Sequence, residues 1–223
     1  MQTVSGMAAR LKDHWRQRGL LATLRFIGSR IFRHQVTCVY QADLEQRRPA
    51  VEWAEGERLL VIGPDNLESA LTPGVRAFLG GTAYECVSGI RSGDRLFIVA
   101  DRDNYLHRGY VIFNGRAKKL IDEPGNVPLI GYCYTAAAAR GRGLYRRALL
   151  AEMRYLQELG YKRVVIDTHP VNHASRKGIE AAGFAFVRTV SAWIVLNLFA
   201  IRRTETGHNT RWRVVFFLGS GDR

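Results

Sequence analysis

The sequence predicts a mixed α/β fold of the α+β kind, and three observations predict it. Short apolar, β-branched runs recur at strand length, among them Leu96-Phe97-Ile98-Val99 and Val164-Val165-Ile166. Two stretches of helical spacing follow strands late in the chain, one opening after Gly143 and one after Asn172. Between residues 95 and 135 several strands succeed one another, so meander pairing is expected there, with crossover helices after it.

Residues 1–35 read as a basic helical extension. Leu20, Leu24, Ile27 and Ile31 fall on one helical face, and Leu11 and Trp15 add an earlier turn of it before Gly19. Seven Arg or Lys oppose Asp13 up to residue 34, so this segment carries +6 of the chain's +13. Such a helix either docks on an anionic membrane surface or partner, or packs on the main domain with its basic face in water. Val36 to Tyr40 is a candidate short strand. Asp43 to Glu57 is charged and broken by Pro49 and Gly56, so the expected division is 1–57 as extension and linker and 58–223 as the main domain.

Arg58 to Ile62 reads as a strand stopped by Gly63-Pro64, followed by a short helix capped by Asp65 or Asn66 and interrupted at Pro73-Gly74. Tyr84 to Ile90 reads as extended. Arg95 to Ala100, Tyr110 to Phe113 and Val127 to Thr135 read as strands, with turns at Asp101–Asn104, Asn114-Gly115 and Pro124-Gly125. Leu149, Met153 and Leu156 mark the inner face of a helix from Leu144 to Leu159, stopped by Gly160. Arg163 to Asp167 is a strand, and Asn172 caps a helix ending at Gly183. Phe184–Val190, Ala192–Leu198 and Thr210–Leu218 read as further strands.

Composition narrows the function class. A net charge of +13 favours acidic partners. Nucleic acid is disfavoured, because no recognised motif is present and the aromatics are not interleaved with the basic residues. Cys38, Cys86 and Cys133 form no CxxC pair, which argues against a disulfide framework or zinc site and fits a reducing cytosol. The start lacks the apolar region of a secretory signal. The longest apolar run, Val190 to Ile201, is shorter than the roughly 20 residues that span a bilayer. The expected location is cytoplasmic, peripheral to the inner membrane face if the extension docks there.

The stretch Thr135 to Leu150 carries the chemistry. A strand ends in a turn with two glycines, which opens a helix. Arg140, Arg142, Arg146 and Arg147 supply +4 with no acid before Glu152. Unpartnered helical N–H groups, the helix dipole and guanidinium forks all favour a phosphate there. A solvated helix terminus is the plainer alternative, but clustered arginines oppose the dipole unless an anion is present.

On Arg140, Gly141, Gly143, Asn172, Ser175, Gly183 and Phe184 the sequence resembles the GNAT superfamily of acyl-CoA-dependent N-acyltransferases. The resemblance runs from about residue 129 to 190. It implies a GNAT-like central mixed sheet that splits like a V, with acetyl-CoA or another acyl-CoA as cofactor. The pantetheine arm is expected along Cys133, Tyr134 and Thr135. The pyrophosphate is expected on the backbone N–H groups of Arg140, Gly141, Arg142, Gly143, Leu144 and Tyr145, with Asn172 and Ser175 on the following helix.

The implied reaction is N-acyl transfer, most simply acetyl transfer, by direct attack of an amine. The alternative is an acyl-CoA-binding module without efficient catalysis, docked through its basic extension. Two positions depart from the family pattern. Tyr145 stands where Gly or Ala is usual, and Ile179 stands where many members carry a tyrosine that protonates the leaving thiolate. Cys133 reads as a small buried hydrophobe rather than a nucleophile. The base candidates are His169 and Asp167, then His173, with Tyr132, Tyr134 and Glu85 behind them. The acceptor is an amine of unread class, an amino sugar being one guess.

Overall fold

The computed structural model describes residues 32–45, 50–102, 104–123, 125–196 and 198–217. Residues 1–31 of the expected extension helix lie outside these residues, and its last four, 32–35, are strand rather than helix, because they pair with β7. The strands are β1 Phe32–Asp43, β2 Glu57–Ile62, β3 Arg95–Asp101, β4 Asn104–Ile112, β5 Leu129–Thr135, β6 Arg163–Thr168, β7 Ala185–Val195, β8 Phe199–Thr206 and β9 Asn209–Phe216. The helices are α1 Leu67–Ala70, α2 Pro73–Leu79, α3 Ala83–Arg91, α4 Arg116–Leu120, α5 Leu144–Glu158 and α6 His173–Ala181.

The nine strands form one sheet in the order β2-β3-β4-β5-β6-β1-β7-β8-β9. The fold is the expected mixed α/β sheet flanked by helices. Two hydrophobic layers fill its faces. Val39, Leu129 and Val165 pack with α1–α3. Tyr40, Ile130 and Ile166 pack with α5 and α6. Neighbouring strand residues thus serve opposite layers, as strand pleating requires.

Several elements differ from the sequence reading. The short strand around Val36–Tyr40 is twelve residues long and sits inside the sheet, antiparallel to β6 on one side and β7 on the other. The division at residue 57 therefore cuts through this sheet, because strand pairing over long separations leaves no local trace. Tyr84 to Ile90 is helical, not extended: Cys86 and Ile90, four apart, turn one face into the core. Phe184–Val190 and Ala192–Leu198 merge into the single strand β7, and residues 199–206 form the unforeseen β8.

Candidate functional site

β5 and β6 run parallel but pair only at Leu129–Val165 and Ile130–Ile166, so their C-terminal halves diverge. The sheet opens at this point. β5 also bulges: Tyr110 of β4 faces Gly131 and Arg108 faces Tyr134, leaving Gly109 against both Tyr132 and Cys133. Tyr132 takes φ +51, a left-handed conformation unusual for a tyrosine, which is a mark of a specially held residue.

On the α5–α6 face, β5 leads into the glycine turn. Gly141 and Gly143 have φ +78 and +70. A Cβ added at either would meet nothing within 4 Å, so the turn is open to an approaching group. Among the described residues no side chain caps α5, and the first N–H to bond back is that of Arg147, to Gly143 O at 3.1 Å. The N–H of Arg140 is already donated to Ala137 O at 3.3 Å, which narrows the cradle to residues 141–146. These groups fit a diphosphate.

The arginines are tethered. Arg142 pairs with Glu57 at 2.8 Å and Arg147 pairs with the other oxygen at 2.7 Å. Arg146 Nε donates to Ala181 O at 2.8 Å, and Arg140 Nε to Thr135 O at 3.3 Å. The +4 of the turn is thus met by an acid the local sequence did not show, brought by the start of β2. Burial raises the proton affinity of Glu57, but the bond from Arg147 and the nearby charges outweigh it and hold its pKa below the ordinary value.

Tyr145 turns its ring toward α6. A Cβ at Gly178 would stand 2.6 Å from Tyr145 Cδ1, so the glycine admits the ring. The Tyr145 hydroxyl lies 3.1 Å from Ser175 Oγ, and the side chain packs in the same core cluster as Cys133. Ile179, next in α6, is fully buried and apolar. Asn172 Oδ1 accepts from Ser175 N at 3.1 Å and caps α6. Under the bulge lie His107, whose Nδ1 is 2.7 Å from Thr135 Oγ1, and Glu152, which meets Gly109. Both are buried, and among the described residues neither Glu152 carboxyl oxygen nor His107 Nε2 has a hydrogen-bond partner. Burial lowers the pKa of His107 to about 4 and raises that of Glu152 to about 8, so neutral forms are favoured for both. Burial also pushes the Cys133 thiol well up, against a nucleophilic role.

On the opposite face a cavity of about 480 Å³ opens beside Tyr132, with Glu85 from α3 and Asp167 from β6 in its wall. Thr37 Oγ1 of β1 donates to Asp167 at 2.8 Å. Burial raises the pKa of Asp167, with this bond acting against it. Burial, and then several nearby acidic groups including Glu85 and Asp167, raise that of Tyr132. A hollow of about 530 Å³ between α2 and α3 touches neither β5 nor β6.

The two main base candidates are therefore separated. Asp167 lines the cavity, whereas His169 is exposed on the following turn, its Nδ1 accepting from Val171 N at 3.4 Å. His173 is exposed too. Tyr134 lies on the cavity's side of the sheet, its ring 5.8 Å from Phe78 and 5.2 Å from the Arg108 guanidinium. Sequence reasoning missed Glu57, Glu152 and His107, and ranked Glu85 below His169. A helical reading of residues 83–91 was the one signal that could have raised Glu85. Among the described residues, no group of three or more His, Cys, Asp or Glu could hold a metal ion. Nor is any helix among them long and apolar enough to cross a membrane.

Residues 82–185 match the family model described as the acetyltransferase (GNAT) domain. No curated protein matches the chain. An acetyltransferase from the GNAT family of Colwellia psychrerythraea is 16% identical with a TM-score of 0.50, over 77% of this chain and 62% of its own. A GCN5-related N-acetyltransferase from Sphaerobacter thermophilus is 18% identical with a TM-score of 0.48, over 77% of this chain and 55% of its own. The match thus spans little more than half the length of these two proteins. The Colwellia likeness is one of fold.

Proposed function

We propose, from the premise that residues 82–185 form an acetyltransferase domain of the GNAT family, that the protein transfers an acyl group, most simply acetyl, from acyl-CoA to an amine. One observation carries this reading: β5 and β6 pair at two positions and then part, with the open glycine turn on one face and the cavity of Glu85, Tyr132 and Asp167 on the other. The cofactor supplies an activated thioester. Residues 141–146 and the flanking Arg140 and Arg142 would hold its diphosphate, and the strand edge at Cys133 to Thr135 its amides.

Asp167 is the proposed base. It lines the acceptor cavity, and its raised proton affinity suits it to take a proton from an ammonium near neutral pH. Glu85 and the Tyr132 hydroxyl orient the amine. A backbone N–H near the bulge stabilises the negative oxygen that develops as the amine attacks. On the other face, the Tyr145 hydroxyl offers a proton donor at the position where Ile179 has none. It sits beside Ser175 and Cys133, on the side of the strand where the thiolate would leave.

Calorimetric titration with acetyl-CoA tests the reading. Binding at micromolar concentration is expected, weakened by Arg142→Glu. Absence of binding sinks both the transferase and the binding-module readings. The buried, apolar Ile179 is the observation that favours the second of these. Binding without thiol release across a panel of amines would decide for it.

A further inference from the structure

The cavity beside Tyr132 carries charges of both signs. Glu85, Asp167 and Tyr132 form the end nearest the strand split, and the same wall continues to Gln35, Arg33 and Arg116. β1 sets the spacing. Arg33, Gln35 and Thr37 alternate along one unbroken stretch of its pairing with β7, so they share a face. Thr37 holds Asp167 at one end. Arg33 lies four residues away, about 13 Å along an extended strand. Arg116, at the start of α4, stands over the Phe217 ring at 3.9 Å. It is half-buried, and burial followed by repulsion from Arg33 lowers its proton affinity. Arg33 and Arg116 line the same wall, so an anion seated there meets guanidinium groups from two elements.

On the transferase reading above, we infer that the acceptor is amphoteric: its amine sits by Asp167 and Tyr132, and a carboxylate or phosphate roughly 10 Å away sits at Arg33 and Arg116. A plain alkylamine satisfies only one end. A purely anionic molecule meets the carboxylates and is repelled. Gln35, between the two ends, can hydrogen-bond the polar middle of such a molecule.

The test measures equilibrium binding to the full-length protein without CoA, using octylamine, ω-aminooctanoate and ω-aminooctyl phosphate as probes. At least one of the two amphoteric probes should bind about tenfold tighter than octylamine, as one charge-assisted contact predicts. The better of the two tells carboxylate from phosphate. Arg33→Glu should remove the advantage, and Asp167→Asn should weaken all three probes. Equal binding of octylamine, an advantage that survives Arg33→Glu, or no measurable binding at millimolar concentration each overturns the inference. Acetyl-CoA titrated into the same samples separates the two failures. A preserved probe preference without acetyl-CoA binding rejects the transferase reading and leaves the charge-paired cavity standing.

Discussion

The Tyr145 ring and the backbone of Gly178 are in direct contact: a single methyl group at Gly178 would stand 2.6 Å from Cδ1 of the ring. This contact joins the two helices that flank the strand split. It also links the two positions at which the sequence departs from the family pattern, since Tyr145 begins one helix and Gly178 precedes Ile179 in the other.

Gly178→Ala should therefore destabilise the protein although alanine is the better helix former. Overpacking costs about 1–3 kcal/mol, against a propensity gain of about 1 kcal/mol. The denaturant midpoint should fall in the single variant. In a Tyr145→Ala background, itself less stable, the same substitution should no longer cost anything, a coupling that a double-mutant cycle reads directly.

Tyr145→Phe keeps the ring on Gly178 and removes only the hydroxyl. If that hydroxyl delivers the proton, kcat should fall by about tenfold or more, with acetyl-CoA affinity nearly unchanged. An equal loss in affinity and turnover would assign the hydroxyl to holding Ser175 in place.

Glu152 gives a pH dependence with a definite sign. Its folded pKa, about 8, lies above the model-compound value of 4.5, so the folded state binds the proton more tightly. Its contribution to stability is full below pH 4.5, declines as pH rises toward 8, and is flat beyond that. Glu152→Gln should flatten this decline, which runs at about 1.4 kcal/mol per pH unit for one group. Urea unfolding of both proteins at several pH values measures it.

Glu57→Gln should split stability from cofactor affinity. It removes the charge that Arg142 and Arg147 share, at a cost of about 1–2 kcal/mol, kept modest because Arg142 is 44% exposed and screened. The folded pKa of Glu57 is depressed, so this contribution is present above pH 4.5 and vanishes as pH falls through the folded value. Acetyl-CoA should bind the variant severalfold tighter, because the turn loses its one tethered negative charge. Calorimetry alongside thermal melts checks both directions.

What the sequence disclosed was local. The turn and α5 were legible because glycine φ values and the spacing of Leu149, Met153 and Leu156 act over a few residues. Asn172 was legible as a cap for the same reason. Tyr84 to Ile90 misled because its apolar residues nearly alternate, and only the core beneath it shows why Cys86 and Ile90 must share a face. β8 was hidden by Arg202 and Thr204, polar residues that are buried, Arg202 pairing with Asp122 at 2.5 Å. Glu57, and the cavity that separates Asp167 from His169, needed the sheet order itself, which brings residues over a hundred positions apart within hydrogen-bond reach, as Thr37 and Asp167 show.

The central position of β1 has a consequence for how the chain is made. This strand leaves the ribosome well before both of its neighbours, β6 and β7, which follow it by more than a hundred residues. Until they emerge, its two hydrogen-bonding edges have nothing to pair with, and the wall that carries Arg33, Gln35 and Thr37 cannot form. Contacts of such long sequence separation slow folding and leave open edges exposed while they wait. The cavity beside Tyr132 is therefore completed only after β6 and β7 have been made, and substitutions that break β1 pairing should lower the yield of folded protein.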